Sequence, residues 1–276
     1  MNLRNVASLW FDVAGNSSNP PLILLHGFTG THHTWDGVRR RLVNKHFLLM
    51  PNLPGHGKST TFHATERMTL DMISDALLEM LDRMGIEKTA VLGYSLGGRI
   101  ALNFASKHQN RLTYLILESA SPGIRNRTER QERIKADAAL ARGIGRNGLD
   151  WFVRYWENTP LLATQKTLSP QVIKKIRRER LSNTTKGLMM SLRSAGIGRM
   201  HPLWDQLESI ERPILLIVGE KDEKYLVIAK EMKKHFPHCS LSVVKGAGHA
   251  THLENFNKFS EIVERFLDGN LKGDLV

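Results

Sequence analysis

The chain of 276 residues contains a single cysteine, Cys239, and no apolar run long enough to cross a membrane. One cysteine excludes an intramolecular disulfide and a cysteine-based metal site, and it is typical of proteins from a reducing compartment. The first residues, Met1 to Arg4, are not followed by the apolar segment of a signal peptide. We therefore predict a cytoplasmic protein with no membrane-inserted segment, and both a monomer and a homodimer fit the sequence.

Acidic residues are scarce relative to basic ones: 27 Asp and Glu accompany 39 Lys and Arg, which gives a formal net charge of +12. The excess is local, because residues 121–203 contain 17 basic and 6 acidic residues and the rest of the chain contains 22 and 21. Such an excess is typical of polyanion-binding proteins, and it also suits a site for a small anionic ligand. Composition alone does not decide between a polyanion and a small anionic ligand as the partner.

Apolar strands alternate with amphipathic helices in two parts of the chain, residues 1–120 and 204–276. The patterns predict strands near 7–13, 22–26, 47–50, 90–94, 114–117, 213–218 and 241–244. They predict helices at about 35–43, 70–84 and 256–267, and two more that end near 107 and 235. Residues 121–203 lack this alternation and are predicted to be helical. We expect an α/β fold with a mostly parallel central sheet, helices on both faces and an inserted helical cap at 121–203.

A short apolar strand passes through Gly93-Tyr94-Ser95-Leu96-Gly97 directly into a helical pattern. This Gly-x-Ser-x-Gly arrangement predicts a nucleophile elbow, in which the serine has a strained backbone and only small residues fit two positions before and after it. The hydroxyl of Ser95 would then be exposed at the edge of the sheet. The free N–H groups of the following helix would face any negative charge that develops there.

Two loops after later predicted strands supply partners for a nucleophilic serine. Asp222 follows one buried apolar strand, and His249 lies in a glycine-containing loop after the next. The order serine, acid, histidine is the order found in α/β-hydrolases. We predict that His249 takes the serine proton and that Asp222 orients the imidazole. Glu118 is the alternative acid, and His252 is the alternative base.

An earlier predicted strand ends in His26-Gly27-Phe28. In this architecture the loop after that strand supplies a backbone donor to a developing oxyanion. We assign that donor to the N–H of Phe28, with the N–H of Leu96 as its partner. Arg99 lies four residues after Ser95 on the same helical face, where a cation opposes the helix dipole, so we expect it to bind an anionic substrate. The alternative is that its side chain extends to the surface.

Two glycine-containing motifs have the letters of phosphate-binding loops without their context. Gly57-Lys58-Ser59 lacks the earlier glycine of a P-loop, because that position is Asn52. The Gly-x-Gly-x-x-Gly run at residues 143–148 follows a predicted helix and not a strand, which argues against dinucleotide binding. We therefore predict no cofactor, and we predict no metal site.

Four segments carry a resemblance to a known family: Gly93-Tyr94-Ser95-Leu96-Gly97-Gly98-Arg99, Glu118-Ser119-Ala120-Ser121-Pro122-Gly123, Gly219-Glu220-Lys221-Asp222 and Gly246-Ala247-Gly248-His249. With them the chain resembles the MenH-like 2-succinyl-6-hydroxy-2,4-cyclohexadiene-1-carboxylate (SHCHC) synthases of menaquinone biosynthesis, over nearly its whole length. The resemblance implies an α/β-hydrolase fold and a carbon–oxygen lyase that works without a cofactor. In that family an activated serine abstracts a proton, and elimination expels pyruvate.

The same resemblance implies a set of substrate-binding residues. The family's substrate carries three carboxylates, and arginines bind carboxylates well because of their planar pair of donors. By resemblance Arg99, Arg133 and Arg180 bind them. Trp156 would be a cap aromatic over the pocket, and Tyr94 would line the site beside the nucleophile. Three other arginines lie close to the matched positions in the cap, so the sequence does not fix which cap arginines bind the substrate: Arg130, Arg177 and Arg178.

Two other functions fit parts of the sequence. A carboxylesterase or C–C bond hydrolase would use the same triad, form an acyl-enzyme and cleave p-nitrophenyl esters. A polyanion-binding protein would use the basic cap on a catalytically silent scaffold, and its DNA binding would depend on salt. We favour the lyase, with a small tricarboxylate as its partner and no nucleic acid.

Overall fold

The computed structural model describes residues 5–6, 9–59 and 68–270, so the start of the strand predicted at 7–13 lies outside the described residues. The described strands are β1 (Asn5–Val6), β2 (Leu9–Ala14), β3 (Pro21–Leu25), β4 (Phe47–Pro51), β5 (Thr89–Tyr94), β6 (Leu112–Glu118), β7 (Ile214–Gly219) and β8 (Cys239–Val244). The α-helices are α1 (Asp36–Leu42), α2 (Leu70–Arg83), α3 (Leu96–His108), α4 (Arg127–Glu157), α5 (Pro170–Leu181), α6 (Thr185–Ala195), α7 (Glu223–His235), α8 (Thr251–Glu254) and α9 (Phe256–Leu267). Short 3₁₀ helices lie at His32–Trp35, Gln109–Arg111, Pro160–Thr167 and Trp204–Ser209.

The eight described strands form one sheet in the order β1-β2-β4-β3-β5-β6-β7-β8. β2 pairs antiparallel with both of its neighbours, β1 and β4. From β4 onward in this sheet order, every neighbouring pair is parallel. Parallel pairing brings the carboxyl ends of β3, β5, β6, β7 and β8 to one edge of the sheet, which is where sites of α/β folds form. The predicted α/β fold with a mostly parallel sheet is confirmed.

The central strands are buried on both faces. In β3, Ile23 and Leu25 belong to the apolar core shared with α2, α3 and α7. The alternate residues Leu22 and Leu24 belong to a second core shared with α1 and α9. This alternation follows from the two-residue period of a strand, and helices on both faces explain why the strand sequence is continuously apolar.

Helices α4, α5 and α6 lie between β6 and β7, and we call residues 127–195 the helical insertion. Its own apolar core joins α4 to α6 through Ala141, Ile144, Phe152, Val153, Leu188 and Leu192. The Gly-x-Gly-x-x-Gly run lies inside α4, which bends at Gly148 with a φ of 80°, so the run is not the strand-to-helix turn of a dinucleotide site. Among the helices of the described residues, none combines the length and the apolarity that crossing a bilayer requires.

Candidate active site

β5 and α3 meet at Ser95, whose backbone has φ 51° and ψ −103°, outside the conformations that L-residues ordinarily adopt. The two predicted small residues are required by packing. A Cβ at Gly93 would overlap the Gly97 carbonyl, and a Cβ at Gly97 would overlap the Leu25 carbonyl. The N–H of Ser95 donates to the Glu118 carbonyl at 2.9 Å, which fixes the turn against β6. The strained turn predicted at Ser95 is therefore present.

The loops after β7 and β8 bring both predicted partners to Ser95. His249 Nε2 lies 3.0 Å from Ser95 Oγ, and His249 Nδ1 lies 2.6 Å from Asp222 Oδ2. The imidazole and the carboxylate are both more than nine-tenths buried, so water competes little for these contacts. When Nδ1 donates its proton to Asp222, Nε2 is free to accept the hydroxyl proton of Ser95.

Glu118 and His252, the alternative acid and base, are paired with each other. His252 Nδ1 lies 2.8 Å from Glu118 Oε2, and the hydroxyl of Thr251 donates to Glu118 Oε1 at 2.6 Å. The N–H of His252 also donates to Glu118 Oε1, at 2.9 Å. The Glu118 carboxylate therefore holds the start of α8, just after the loop that carries His249.

Two backbone N–H groups beside Ser95 have no acceptor within residues 9–59 and 68–270, namely those of Phe28 and Leu96. Leu96 is the first residue of α3, and the first N–H groups of a helix have no intrahelical partner. Phe28 lies in the loop after β3 and lines the same cavity as Ser95. Both donors are available to an oxyanion that forms next to Ser95 Oγ.

A pair of buried histidines supports the loop that carries Phe28. His26 Nδ1 lies 2.8 Å from the Gly27 carbonyl oxygen, and His26 Nε2 accepts the N–H of Leu53 at 2.9 Å. The ring of His56 packs 5.1 Å from that of His26, centroid to centroid. Burial lowers the pKa of both imidazoles, that of His56 to about 4, so both rings are neutral at neutral pH.

These neutral histidines predict that acid destabilises the fold. An unfolded histidine takes up its proton near pH 6.5, whereas folding lowers the pKa of His56 to about 4. Between these values the unfolded chain binds a proton that the folded chain does not, so each such histidine lowers the free energy of unfolding by about 1.4 kcal/mol per pH unit of acidification. Urea unfolding between about pH 7 and 4.5 measures this loss. The slope should be smaller in His56→Gln, and an unchanged slope would contradict the role of His56.

The cavity at Ser95 has two chambers. The large chamber has a volume of about 490 Å³, and the small chamber has a volume of about 60 Å³. Four residues line both of them: Phe28, Ser95, Trp156 and Leu161. Ser95 is therefore part of the wall of both chambers.

The large chamber contains two of the predicted arginines, Arg99 and Arg133. Arg99 is partly buried, and its Nη1 donates to the Ala195 carbonyl of the helical insertion at 2.8 Å. Burial lowers the pKa of Arg99 to about 10, so the guanidinium still carries its charge at neutral pH. Arg133 Nε donates to Asp137 Oδ1 at 2.8 Å. Arg99 thus lines the cavity, contrary to the surface alternative.

The third predicted arginine, Arg180, lines the small chamber and is buried, and this burial lowers its pKa. Its Nη2 donates to Gln165 Oε1 at 2.8 Å, and its Nη1 donates to Glu157 Oε1 at 3.4 Å. These partners hold the guanidinium in the small chamber, which Ser95 also lines. The sequence carries no signal for Gln165 or Glu157, because isolated polar residues in a polar helical segment follow no distinctive pattern.

The two predicted aromatic residues form walls of the cavity. Tyr94 lines the small chamber with its ring 5.4 Å from that of His249. Trp156 packs edge to face on Phe28 at 5.4 Å between ring centroids. Burial, together with the nearby charge of Glu118, raises the pKa of Tyr94, so its hydroxyl is protonated at neutral pH and can donate a hydrogen bond.

A third aromatic residue, Tyr225, is part of the site although sequence reasoning missed it. Its ring lies 4.6 Å from the ring of His249, and it lines the large chamber. Burial raises the pKa of its hydroxyl, which is therefore protonated at neutral pH. The available signal was its position three residues after Asp222, on the first turn of α7.

Taken together, the site contains a hydroxyl with an adjacent base, two free backbone N–H donors and three guanidinium groups. Such a set can remove a proton from a carbonyl compound, or attack its carbonyl carbon, while holding carboxylates on both sides. Within the described ranges no group of three or more His, Cys, Asp or Glu side chains is arranged to hold a metal ion.

Comparisons with known proteins agree with this architecture. The alpha/beta hydrolase fold family matches residues 20–256. A protein of Bacillus subtilis (strain 168) named "Putative 2-succinyl-6-hydroxy-2,4-cyclohexadiene-1-carboxylate synthase" is 38% identical over 254 residues, which are 92% of each chain. The "2-succinyl-6-hydroxy-2,4-cyclohexadiene-1-carboxylate synthase" of Enterobacter sp. (strain 638) is 30% identical over 88% of this chain and 89% of its own.

A solved structure gives the same result. The structure of MenH from S. aureus superposes with a TM-score of 0.90 at 32% identity, and it covers 95% of this chain and 98% of its own. The fold and family predicted from the sequence are confirmed. The chain therefore belongs to the alpha/beta hydrolase fold family and, within it, to the group of proteins named SHCHC synthases.

Proposed function

We propose that this chain is a SHCHC synthase, a lyase that eliminates pyruvate from 2-succinyl-5-enolpyruvyl-6-hydroxy-3-cyclohexene-1-carboxylate. One observation carries the proposal: Ser95 Oγ lies 3.0 Å from His249 Nε2, and Ser95 lines two chambers that both contain arginine. Arginines on both sides of the base suit a substrate with carboxylates at its two ends. The relatives that bear this name support the same assignment over most of the chain.

The names of substrate and product define the bonds that change. A 3-cyclohexene becomes a 2,4-cyclohexadiene when the ring carbon that bears the succinyl group loses its proton and the ring carbon that bears the enolpyruvyl group loses its oxygen. The electron pair of the broken C–H bond forms one new double bond, the existing double bond shifts by one position, and the C–O bond breaks towards oxygen. The enolate of pyruvate leaves and becomes pyruvate when it takes up a proton.

The site residues have a role in each step. Ser95 transfers its hydroxyl proton to His249 and removes the substrate proton, while Asp222 stabilises the imidazolium. Loss of that proton places negative charge on the oxygen of the succinyl ketone, and the N–H groups of Phe28 and Leu96 stabilise it there. The imidazolium of His249 then supplies the proton that the leaving enolate needs, which returns the site to its starting state.

We also propose that residues 121–203 act as a cap on a core formed by 1–120 and 204–276. Three side chains of this segment, Arg133, Trp156 and Arg180, line the chambers and so would cover a substrate bound at Ser95. The partner inferred from the arginines is a small tricarboxylate. The cytoplasm is the proposed location, because a lone cysteine fits a reducing compartment.

The test is a pair of assays on the same purified protein. Pyruvate formation is measured with chemoenzymatically prepared substrate, and ester hydrolysis is measured with a p-nitrophenyl ester. We expect catalytic pyruvate release and far slower ester cleavage. Ester turnover without pyruvate would instead support a carboxylesterase, and salt-dependent DNA binding that survives Ser95→Ala would support a polyanion-binding protein.

Arg99→Ala is expected to lower kcat/KM for pyruvate release by at least about tenfold, because a charge-assisted hydrogen bond contributes about 1.5 to 3 kcal/mol. Steady-state kinetics with the enolpyruvyl substrate measure the loss. Arg99→Lys keeps the charge but not the paired donors, so its loss should be smaller. Arg142→Ala, at an exposed position of the helical insertion, is the matched control and should stay within about twofold of wild type. If kcat/KM of Arg99→Ala equals that of the wild type, Arg99 does not bind the substrate and its role is limited to the hydrogen bond with the Ala195 carbonyl.

A further inference from the structure

The loop that carries Phe28 contains a strained residue. Gly27 to Gly30 form a turn in which the N–H of Gly30 donates to the Gly27 carbonyl at 3.0 Å. Thr29, the third residue of this turn, has a φ of 74°, which a type II turn requires at that position and which glycine usually supplies. A β-branched residue is disfavoured in this left-handed region. Contacts from outside the turn must therefore hold Thr29 in place.

Asn183, two residues after the end of α5, makes such a contact. Its Nδ2 donates to the Thr29 carbonyl at 2.8 Å, and its Oδ1 accepts the N–H of Gly57 at 3.0 Å. Asn183 and Thr29 are 5% and 4% exposed, so water competes little for the bond between them. Because both ends of the amide are bonded, it has one orientation: a flip would bring two acceptors together on one side and two donors together on the other.

Glu179, in the last turn of α5, holds the residues that follow the turn. Its Oε1 accepts the N–H of Thr31 at 2.7 Å and the hydroxyls of Thr31 and Thr34 at 3.0 and 2.6 Å. The next residue of α5 is Arg180, which lines the small chamber. α5 and Asn183 just after it thus bond to the turn and to the residues that follow it, and α5 also supplies an arginine to the cavity.

We propose that Asn183 is a positioning residue for the oxyanion site. It holds Thr29 in the left-handed conformation and thereby fixes the direction of the neighbouring N–H of Phe28. This inference rests on the proposed function, in which that N–H stabilises negative charge. Donors contribute most to a transition state when they are already oriented, so docking of α5 on this loop completes the site of the core.

Asn183→Asp removes the Nδ2 donor, which bonds to the Thr29 carbonyl at 2.8 Å and to the Arg180 carbonyl at 3.2 Å, and keeps the acceptor for the N–H of Gly57. We expect kcat for pyruvate release to fall by at least about tenfold with KM within about twofold of wild type, because a misdirected donor affects the transition state more than the bound substrate. Asn147→Asp is the matched control, since Asn147 is an exposed amide on α4 that donates to a carbonyl of its own helix at 3.1 Å. Equal losses in the two variants, or a loss confined to KM, would overturn the proposal.

Thr29→Gly separates positioning from general structural support. Glycine adopts a positive φ without strain, so the fold-loss in kcat caused by Asn183→Asp should be at least about threefold smaller in the Thr29→Gly background. The same loss in both backgrounds would show that Asn183 acts independently of the conformation at Thr29. If Asn183→Asp does not fold, Asn183→Ala takes its place in the same cycle.

Hydrogen exchange at the amide of Gly30, which donates to the Gly27 carbonyl across the turn, tests the same inference without turnover. Exchange should be faster in Asn183→Asp than in Asn147→Asp, because the turn loses its outside support. Equal exchange in the two variants would overturn the positioning role. If the wild-type protein releases no pyruvate but the two variants differ in exchange as expected, the proposed reaction is contradicted. The positioning of this loop by Asn183 is then still supported.

Discussion

Ser95→Ala is expected to reduce pyruvate release by at least about 10³-fold and to leave substrate binding nearly unchanged. The substitution removes the hydroxyl that lies 3.0 Å from His249 Nε2. It leaves the backbone donors of Phe28 and Leu96 and the arginines of both chambers in place. The change should therefore appear in kcat, while the Kd of the intact substrate, measured calorimetrically on the inactive variant, stays within about threefold of the KM-derived value for wild type.

Ser106→Ala is the matched control for this substitution. Ser106 lies on the same helix, α3, and its hydroxyl donates to the carbonyl of Asn103 at 2.9 Å. Its pyruvate release should equal that of the wild type. Turnover in Ser95→Ala above about a tenth of the wild-type rate would mean that another group removes the substrate proton. His249 would then be the base, because its Nε2 faces the space left by the hydroxyl.

The site residues that could be predicted from the sequence are those whose surroundings are fixed locally. Gly93 and Gly97 identify the strained turn because only glycine fits beside Ser95 in so sharp a turn. Asp222 follows the continuously apolar strand β7 and His249 follows β8, and parallel strands deliver such loops to one edge of the sheet. The spatial meeting of these three side chains follows from the fold class.

Helix boundaries were predictable where a cap and a periodic pattern coincide. α9 spans Phe256–Leu267, as predicted, because the side chain of Asn255 accepts the N–H of Lys258 at its start and apolar residues recur on one face. α4 was not predictable to the same extent. It begins at Arg127, continues through Gly143 and Gly145 and bends at Gly148, since packing on α6 stabilises a segment whose composition disfavours a helix.

Contacts between distant residues could not be predicted. The pair of Glu118 and His252 joins positions 134 apart, and both residues looked like alternative members of the triad until their mutual contact was visible. Asn183 and Thr29 are 154 positions apart, and no periodicity links them. The second contact depends on how the helical insertion docks on the core, which hydrophobic pattern alone does not determine.

Asp222→Asn is expected to lower kcat for pyruvate release by about 10³- to 10⁴-fold. The carboxylate accepts the Nδ1 proton of His249 at 2.6 Å, which leaves Nε2 free to accept the proton of Ser95. An amide can donate to Nδ1 instead, and the ring then carries its proton on Nε2 and cannot take another from the serine. The amide also lacks the charge that stabilises the imidazolium.

Glu118→Gln is the matched comparison for Asp222→Asn, because it makes the same change in the other buried pair of an acid and a histidine. Glu118 contacts His252 and Thr251, so its loss should lower the Tm while kcat stays within about tenfold of wild type. The substitution that lowers kcat more identifies the carboxylate that is the acid of the triad. If kcat falls further in Glu118→Gln than in Asp222→Asn, with both proteins folded, Glu118 must act as the acid of the triad and the contact between Asp222 and His249 has another purpose.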